Sequence, residues 1–242
     1  MIRRESAAEG AVAVLILDRP ERRNALDSAH WADLASAVTD ASRGEARAIV
    51  LTGEGSCFCA GGDLDDPDTE GLAILLERCF TAIREVPIPV VAYINGPAVG
   101  GGAQLAVSCD LRVASPTARF GIPAAAISLP ANPGTIARLV ALAGSGAARA
   151  MLIGGDSITA ERAFTLGLVE RLGEFDDALA WAGEIAQSAP LLLEFFKNQL
   201  QVGNPTDDGM YSSFLSSVLQ SEDRAESIRA RAEKRKPQYV GR

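Results

Sequence analysis

Two glycine-rich turns stand out in the sequence, NGPAVGGG at residues 95–102 and CAGGDL at residues 59–64. Each follows a short apolar run, at residues 89–94 and 48–52 respectively, that is typical of a buried β-strand. Glycine adopts positive φ angles at little cost and lets another group approach the backbone closely. The two turns therefore predict exposed backbone donors at the ends of two strands.

In chain order, residues 59–64 form the first turn and residues 95–102 the second turn. The second turn is expected to open directly into a helix over residues 100–108. The first N–H groups of a helix have no intrahelical partner and lie at the positive end of its dipole, so the Gly101 N–H should bind an oxygen. The Gly62 N–H in the first turn is the expected second donor. Two such donors would polarise a carbonyl or stabilise an enolate. The simpler alternative is that both turns are only tight connections between strands and helices.

Other glycine-based sites do not fit. The spacing of Gly96, Gly100 and Gly101 is not the G-x-G-x-x-G of a dinucleotide site, and the sequence contains no Gly-Lys-Ser/Thr of a P-loop. It also has no G-x-S-x-G segment of the kind that carries a nucleophilic serine.

Length and composition are those of one globular domain over residues 1–242. Apolar residues make up 48% of the chain, and no low-complexity linker divides it. No run of about 18 apolar residues occurs, so we expect no membrane span and a cytoplasmic protein. The net charge of −8 argues against a nucleic acid partner, because that binding depends on neutralising phosphates.

The cysteines and the lone histidine suggest no further chemistry. Cys57, Cys59, Cys79 and Cys109 are too few and too irregularly spaced for a disulfide framework or a zinc site. We expect buried, reduced thiols and no metal. His30 lies in the first predicted helix and is expected to have a structural role.

Hydrophobic periodicity predicts strands alternating with helices, followed by a helical C-terminal region. The predicted strands cover residues 11–18, 48–52, 89–94, 111–114 and 118–120. The predicted helices cover residues 25–42, 72–86, 100–108, 136–143, 147–153, 160–166, 176–187, 191–202, 211–219 and 223–235.

With these turns in place the sequence resembles the crotonase superfamily, the enoyl-CoA hydratase and isomerase family. The resemblance covers nearly the whole chain and rests on landmarks in family order: DRPERRNAL (18–26), FCAGGDL (58–64), NGPAVGGG (95–102), CDLRVA (109–114), FGIP (120–123), GLV (167–169) and EKRKP (233–237). It implies an α/β fold, a crotonase-like superhelix of ββα units with a C-terminal helical region. Residues 1–190 would form the spiral core, and residues 191–242 a segment for oligomerisation and capping of coenzyme A.

The resemblance also implies the ligand. An acyl-CoA thioester would bind with its oxygen between Gly62 N–H and Gly101 N–H, and coenzyme A would enter as part of that ligand and not as a permanently bound cofactor. A homotrimer or a hexamer built as a dimer of trimers is implied. The residues implied to contact coenzyme A are Arg22, Arg23, Ala25, Ala60, Gly61, Gly62, Asp63, Leu64, Lys234 and Lys236.

Some of these assignments have simpler alternatives. Asp63 is better interpreted as a residue that fixes its loop than as a catalyst. Lys234 and Lys236 would come from a neighbouring subunit, but the basic stretch at residues 229–236 is also typical of a solvated helix face.

The positions of the proton-transferring carboxylates are changed. Hydratases of this family carry one glutamate after the triple glycine and another after the Phe-Gly-x-Pro segment, and the matching residues here are Gln104 and Ala124. Asn132 stands where dienoyl-CoA isomerases carry an aspartate. An amide cannot accept a proton at ordinary pH, and a methyl group cannot take part at all.

Three functions remain open at this point. The first is an acyl-CoA-binding protein of fatty acid or lipid metabolism with weak or absent hydratase activity. The second is an active hydratase or isomerase that uses a base from elsewhere in the chain. The third is a purely structural oligomeric protein whose glycine turns bind nothing.

Overall fold

The computed structural model describes residues 1–201 and 208–242. Its nine strands are β1 (Ile2–Ala7), β2 (Val12–Leu17), β3 (Ala48–Gly53), β4 (Val90–Ile94), β5 (Pro97–Val99), β6 (Leu111–Ala114), β7 (Arg119–Gly121), β8 (Ser157–Thr159) and β9 (Arg171–Leu172). Within the same residues the α-helices are α1 (Ser28–Arg43), α2 (Thr69–Glu85), α3 (Gly101–Ser108), α4 (Pro133–Leu152), α5 (Ala160–Leu166), α6 (Phe175–Ala186), α7 (Pro190–Gln199), α8 (Asp208–Gln220) and α9 (Glu222–Glu233).

The strands form two sheets. The larger has the order β1-β2-β3-β4-β6-β9 and the smaller the order β5-β7-β8. In the larger sheet only β1 and β2 run antiparallel, and the other neighbours are parallel. Strand β4 of the larger sheet is followed by β5 of the smaller sheet and then by α3. Strand β6 of the larger sheet and β7 of the smaller sheet follow in the same order and lead to α4. The fold is therefore built from repeated ββα units.

Side-chain alternation along the strands divides the core in two. In β3, Ile49 and Leu51 face one apolar cluster with α1 and α2, whereas Val50 faces a second cluster with α6. Successive side chains of a strand point to opposite faces, so a strand that is apolar throughout is covered on both. This explains why β3 and β4 are the continuous apolar runs in the sequence.

The predicted elements are largely confirmed, with shifts that have local causes. Helix α1 begins at Ser28 and not at residue 25, because the Asp27 side chain accepts from the His30 backbone N–H and caps the helix. The helices predicted at 136–143 and 147–153 form one element, α4, interrupted at Gly144 with φ 81°. Val202, the last residue of the helix predicted at 191–202, lies outside the described residues.

Four strands were missed. Strand β1 pairs at the sheet edge and carries exposed charged residues, so it lacks the apolar run used to find strands. Strand β5 lies within the second glycine turn, and β8 and β9 are only three and two residues long. Such short strands leave no periodicity to detect.

The helices α7, α8 and α9 follow the sheets. In the described part of α8 and α9 and the tail after them, the carboxylate of Asp223 accepts from the backbone of Val240 and Gly241. The tail also reaches the body of the chain, since Arg47 donates to the Tyr239 carbonyl at 3.1 Å. No helix of the described residues is long and apolar enough to cross a membrane.

Candidate functional site

The two glycine turns meet. A Cβ placed on Gly61, whose φ is +104°, would lie 2.9 Å from the Gly101 nitrogen and 2.9 Å from the Val99 carbonyl oxygen. A Cβ on Gly102 would lie 2.1 Å from the Cys59 carbonyl oxygen. Glycine is therefore required at both positions, because any side chain would separate the turns.

Gly62 and Gly101 bring two free donors together. A Cβ on Gly101 would lie 3.3 Å from the Gly62 nitrogen. The Gly61 carbonyl accepts from Leu26 and the Asp63 N–H donates to Leu26, but neither the Gly62 nor the Gly101 N–H donates to any atom of residues 1–201 and 208–242. Because Gly101 also begins α3, its N–H lies at the positive end of a helix dipole. The pair has the chemistry of an oxyanion-binding site.

Helix α2 covers this pair. Leu72 Cδ2 and Leu76 Cδ2 each lie 3.0 Å from the Cβ positions of Gly62 and Gly101, respectively. These leucines are four residues apart and share one face of the helix. The donors thus face an apolar wall, where a hydrogen bond to an oxygen is stronger than in water.

A cavity of about 230 Å³ begins beside Leu76 and Gln104. Its lining comes from α2, from α3, from the first turn of α4 and from the segment before α4. The lining residues are Ala73, Leu76, Glu77, Phe80, Gln104, Pro130, Ala131, Asn132 and Pro133. The cavity is therefore mostly apolar with three polar side chains.

Gln104 and Asn132 form one polar unit in this cavity. Gln104 Oε1 accepts from the Asn132 N–H at 3.1 Å, which fixes the orientation of the amide. Its NH2 group donates to no atom of the described chain. Asn132 Oδ1 accepts from Thr135 N at 3.2 Å and caps α4. Both side chains thus support α4, and neither provides a carboxylate.

Ala124 lies apart from these two residues. It starts a 3-10 turn at Ala124–Ile127 and packs against the main core, and it does not line the cavity. The structure therefore brings together two of the three positions at which the sequence lacks a carboxylate.

Asp63 fixes the first glycine turn. Its carboxylate accepts from Arg22 Nη2 at 3.0 Å and Arg19 Nη1 at 3.4 Å, and also from the Asp65 backbone N–H at 3.2 Å. With its side chain only 10% exposed, it is the centre of a small ion-pair network. This geometry agrees with its interpretation as a loop-fixing residue.

The other residues assigned to coenzyme A lie on the first glycine turn or in the segment before α1, which is hydrogen-bonded to that turn. The Ala60 N–H donates to the Arg23 carbonyl at 3.0 Å, and the Ala25 carbonyl accepts from Arg19 Nη1 at 2.7 Å. The Arg23 side chain is exposed and forms no ion pair within the described residues. Leu64 is 69% exposed. An exposed apolar side chain thus belongs to the first glycine turn, and an exposed cation belongs to the segment hydrogen-bonded to that turn.

Lys234 and Lys236 lie elsewhere in the chain. Tyr239 is bonded to Arg47 before β3, whereas the first glycine turn follows the opposite end of that strand. Within the described chain, no hydrogen bond or ion pair joins either lysine to a glycine turn. Their contact with coenzyme A from a neighbouring subunit stays a prediction.

The basic stretch at residues 229–236 is more than a solvated face. Arg235 and Arg229 both pair with Glu226, a residue only 7% exposed. The guanidinium of Arg235 and the Gln238 N–H lower the pKa of Glu226 to about 2. Part of this stretch therefore anchors the tail.

The cysteines are buried free thiols, as expected. Burial raises the pKa of Cys59 and of Cys109 to about 12. His30 Nδ1 contacts the Asp27 carboxylate at 2.6 Å beside the N-cap, a structural position. Among the described residues, no group of three or more histidine, cysteine or acidic side chains could hold a metal ion.

One residue of the cavity, Glu77, was not anticipated. It follows Leu76 in α2, and its Oε1 accepts from Arg84 Nη2 at 2.9 Å and Thr81 Oγ1 at 3.2 Å. The spacing of Glu77, Thr81 and Arg84 along one helix was available in the sequence. The proximity of α2 to the glycine turns was not.

The sequence matches the family described as enoyl-CoA hydratase/isomerase over residues 7–242, and the chain belongs to this family. A probable enoyl-CoA hydratase, echA6, of Mycobacterium tuberculosis is 42% identical over 234 residues, covering 96% of each chain. A short-chain-enoyl-CoA hydratase of Clostridium acetobutylicum is 32% identical and covers 94% of each chain.

Solved structures agree with this assignment. A family protein from Hyphomonas neptunium superposes with a TM-score of 0.91 at 32% identity, covering 100% of this chain and 98% of the other. An enoyl-CoA hydratase from Bacillus anthracis gives 0.90 at 29% identity, covering 100% and 99%. The predicted α/β crotonase-like fold is thus confirmed.

Proposed function

We propose that this protein binds acyl-CoA thioesters with the thioester oxygen between Gly62 N–H and Gly101 N–H, and hydrates 2-enoyl-CoA weakly or not at all. The supporting observation is that the two N–H groups lie together, unpaired, against an apolar wall and beside a cavity. Two hydrogen bonds to one oxygen suit a thioester carbonyl. The apolar lining suits a fatty acyl chain, which indicates a role in lipid metabolism.

Weak hydration follows from the polar side chains. Hydration requires a group that takes a proton from water and another that delivers one to carbon, and each such group contributes about 100-fold to 10,000-fold. Gln104 presents an NH2 group to the cavity, and Asn132 caps α4. The methyl side chain of Ala124 cannot transfer a proton. An active hydratase would therefore need another base.

Coenzyme A belongs to the ligand in this proposal and is not a resident cofactor. The turn residues Ala60, Gly61 and Leu64 would contact its adenine and pantetheine parts, and Arg22 and Arg23 would lie near its phosphates. In a homotrimer or hexamer, a neighbouring subunit would add Lys234 and Lys236. A cytoplasmic location accompanies this proposal.

Calorimetric titration with saturated acyl-CoA of increasing chain length tests the binding. Gly101→Ala places a methyl group 3.3 Å from the Gly62 nitrogen, 3.0 Å from Leu76 Cδ2 and 3.4 Å from Gly61 Cα. We expect the Kd to rise by about 5-fold to 150-fold, because two hydrogen bonds of about 0.5–1.5 kcal/mol each are lost. Gly146→Ala is the matched control, since a Cβ there meets nothing within 4 Å.

The outcomes separate the candidate functions. Binding by the native protein that weakens only in Gly101→Ala supports the proposal. A folded oligomer that binds no acyl-CoA at micromolar concentration contradicts it and favours a structural role. Rapid hydration of a 2-enoyl-CoA by the native protein contradicts the expectation of weak activity.

A further inference from the structure

A polar cavity and an apolar groove meet at Arg138. The polar cavity has a volume of about 280 Å³ and is lined by residues of α2, α4 and α7 and by Gln201. The apolar groove has a volume of about 420 Å³ and is lined mainly by residues of α4, α6 and α7 and of the start of β6. Arg138 and Gln201 line both spaces, and neither space shares a lining residue with the cavity beside Gln104. The polar cavity and the apolar groove therefore form a second, amphipathic site.

Apolar side chains from four elements form the wall of the groove. They are Leu111, Leu142, Ile185, Leu193 and Leu200. Leu200 is 79% exposed, so part of this wall is in contact with water. Covering it with hydrocarbon is favourable, and the volume lies within the range of small-molecule sites. The groove therefore suits a flexible apolar chain.

The guanidinium of Arg138 is bonded only to neutral acceptors in the described chain. Its Nε donates to the Val107 carbonyl at 3.1 Å, and its Nη2 to the Cys109 carbonyl at 3.4 Å. Its Nη1 donates to Gln201 Oε1 at 2.8 Å. A guanidinium has five N–H groups, so two of them remain for a ligand.

The carboxylates near Arg138 do not pair with it. Asp110 lines the groove and is bonded to Lys197 Nζ at 2.8 Å, and Glu170 lines the groove and pairs with Arg112. Glu85 lines the polar cavity, but its side chain is exposed and forms no ion pair within the part of the chain that the structure describes. The charge of Arg138 thus has no contacting counterion among these residues.

The surroundings of Arg138 favour a bound anion. Burial lowers the pKa of Arg138, and the guanidiniums of Arg112 and Arg84 lower it further, against the opposite effect of Asp110. A half-buried cation is costly unless an opposite charge accompanies it. Arg84 also lines the polar cavity, so an anion there would lie near two guanidiniums. Arginine can bind a carboxylate with two parallel hydrogen bonds.

We propose that this second site binds a free fatty acid, with its carboxylate at Arg138 in the polar cavity and its hydrocarbon chain along the apolar groove. A ligand of this class supplies both the anion and the apolar chain. An inorganic anion would leave the groove uncovered, and a neutral lipid would leave Arg138 without a counterion. The site is independent of the proposed thioester binding at Gly62 and Gly101.

A structural role is the competing explanation for Arg138, because its hydrogen bonds join α4 to the end of α3 and to Gln201. The test variants therefore leave Arg138 in place. Ala137→Glu adds a negative charge to the polar cavity from an exposed position of α4. Ala137→Gln is its matched control, since it adds a side chain of similar size without the charge.

The groove is tested by Leu200→Glu, which replaces an exposed apolar side chain by a charged one. Ile153→Glu is the matched control, because Ile153 is 76% exposed and lines neither the polar cavity nor the groove. All four variants should keep the thermal unfolding of the native protein and its Kd for a saturated acyl-CoA, since none of them changes the glycine turns.

The experiment is calorimetric titration of the intact protein with decanoate below its micelle-forming concentration. We expect decanoate to bind, and acetate and decyltrimethylammonium not to bind measurably. The Kd for decanoate should rise by about 10-fold to 150-fold in Ala137→Glu, because hydrogen bonds to a charged group are lost. It should rise at least about 10-fold in Leu200→Glu, because the chain loses an apolar contact. Ala137→Gln and Ile153→Glu should bind as the native protein does.

Several outcomes would overturn the inference. Equal affinities for acetate and decanoate would show an anion site without a role for the groove. Equal losses in Ala137→Gln and Ala137→Glu would show that the carboxylate does not lie in the polar cavity. A decanoate affinity that falls in Gly101→Ala and in neither Ala137→Glu nor Leu200→Glu would place the fatty acid at the glycine turns.

The two proposals fail separately. If the native protein binds a saturated acyl-CoA but not decanoate, the second site falls and the proposed thioester binding stands. If it binds decanoate with the expected losses in Ala137→Glu and Leu200→Glu but binds no acyl-CoA, the second site stands and the proposed thioester binding falls.

Discussion

Gln104 Oε1 accepts a hydrogen bond from the Asn132 backbone N–H at 3.1 Å, joining α3 to the residue that caps α4. This bond occupies the side-chain amide oxygen of Gln104, and the NH2 group of the same amide faces the cavity. Gln104, which follows the second glycine turn, thus has a structural role in this protein.

Restoring the carboxylates should restore hydration. In the double variant Gln104→Glu, Ala124→Glu, the new glutamate at 104 can still accept from Asn132 N–H, so the local structure should persist. We expect hydration of a 2-enoyl-CoA to rise at least about 100-fold over the native protein. Mass-resolved turnover of a chain-length series measures the gain, and each single variant is its control. An unchanged rate in a folded, ligand-binding double variant would contradict the proposal that the residues at positions 104 and 124 limit hydration.

Asp63→Ala should destabilise the first glycine turn. The change removes the shared acceptor of Arg19 and Arg22 and of the Asp65 N–H. Because hydrogen bonds to charged groups contribute about 1.5–3 kcal/mol, we expect the free energy of unfolding to fall by about that amount. Urea denaturation measures it. Asp65→Ala, at a side chain 78% exposed, should cost less than about 1 kcal/mol. Equal losses in the two variants would show that Asp63 has no special role.

The thiols should be inert in the folded protein. Cys59, Cys79 and Cys109 are fully buried, and burial raises the pKa of Cys59 and Cys109 to about 12 and that of Cys79 well above its ordinary value. Since the thiolate is the reactive form, these thiols should not react with a disulfide reagent at pH 8. All four cysteines should react after denaturation in guanidinium. Fast labelling of Cys59 in the native state would mean that the first turn opens readily.

Acidification should loosen the C-terminal tail. The pKa of Glu226 is about 2 in the folded protein because Arg235 and the Gln238 N–H bind its carboxylate, whereas an unperturbed glutamate has a pKa of about 4.3. Its stabilising contribution is therefore complete above that ordinary value and is lost as the pH falls toward 2. Hydrogen exchange of α9 between pH 5 and 2.5 should report the loss. Glu226→Gln should weaken α9 at pH 5 and remove this part of the pH dependence, and a native-like profile in the variant would contradict the assignment.

Most of the architecture could be predicted from the sequence. Strands β3 and β4 are buried on both faces and therefore appear as continuous apolar runs, and the glycines of both turns mark positions where a side chain would separate them. Edge and very short strands could not be found, because β1 carries exposed charges and β9 has only two residues.

The site was less predictable than the fold. The glycine donors follow from local turn chemistry, and Gln104 is placed by its distance from them along α3. Glu77 belongs to a helix whose position over the turns depends on long-range packing, with Leu72 and Leu76 as the contacts. No spacing in the sequence shows which face of α2 meets the second turn.

The packing of Phe80 against Trp31 has an optical consequence. Phe80 lines the cavity, and its ring meets that of the fully buried Trp31 edge-on, with 5.7 Å between centroids. The chain has one other tryptophan, Trp181, whose ring lies beneath the Arg171 guanidinium. A ligand that displaces Phe80 alters the surroundings of one indole and leaves the other untouched. Trp31 emission is therefore expected to report the binding of such a ligand without an attached dye.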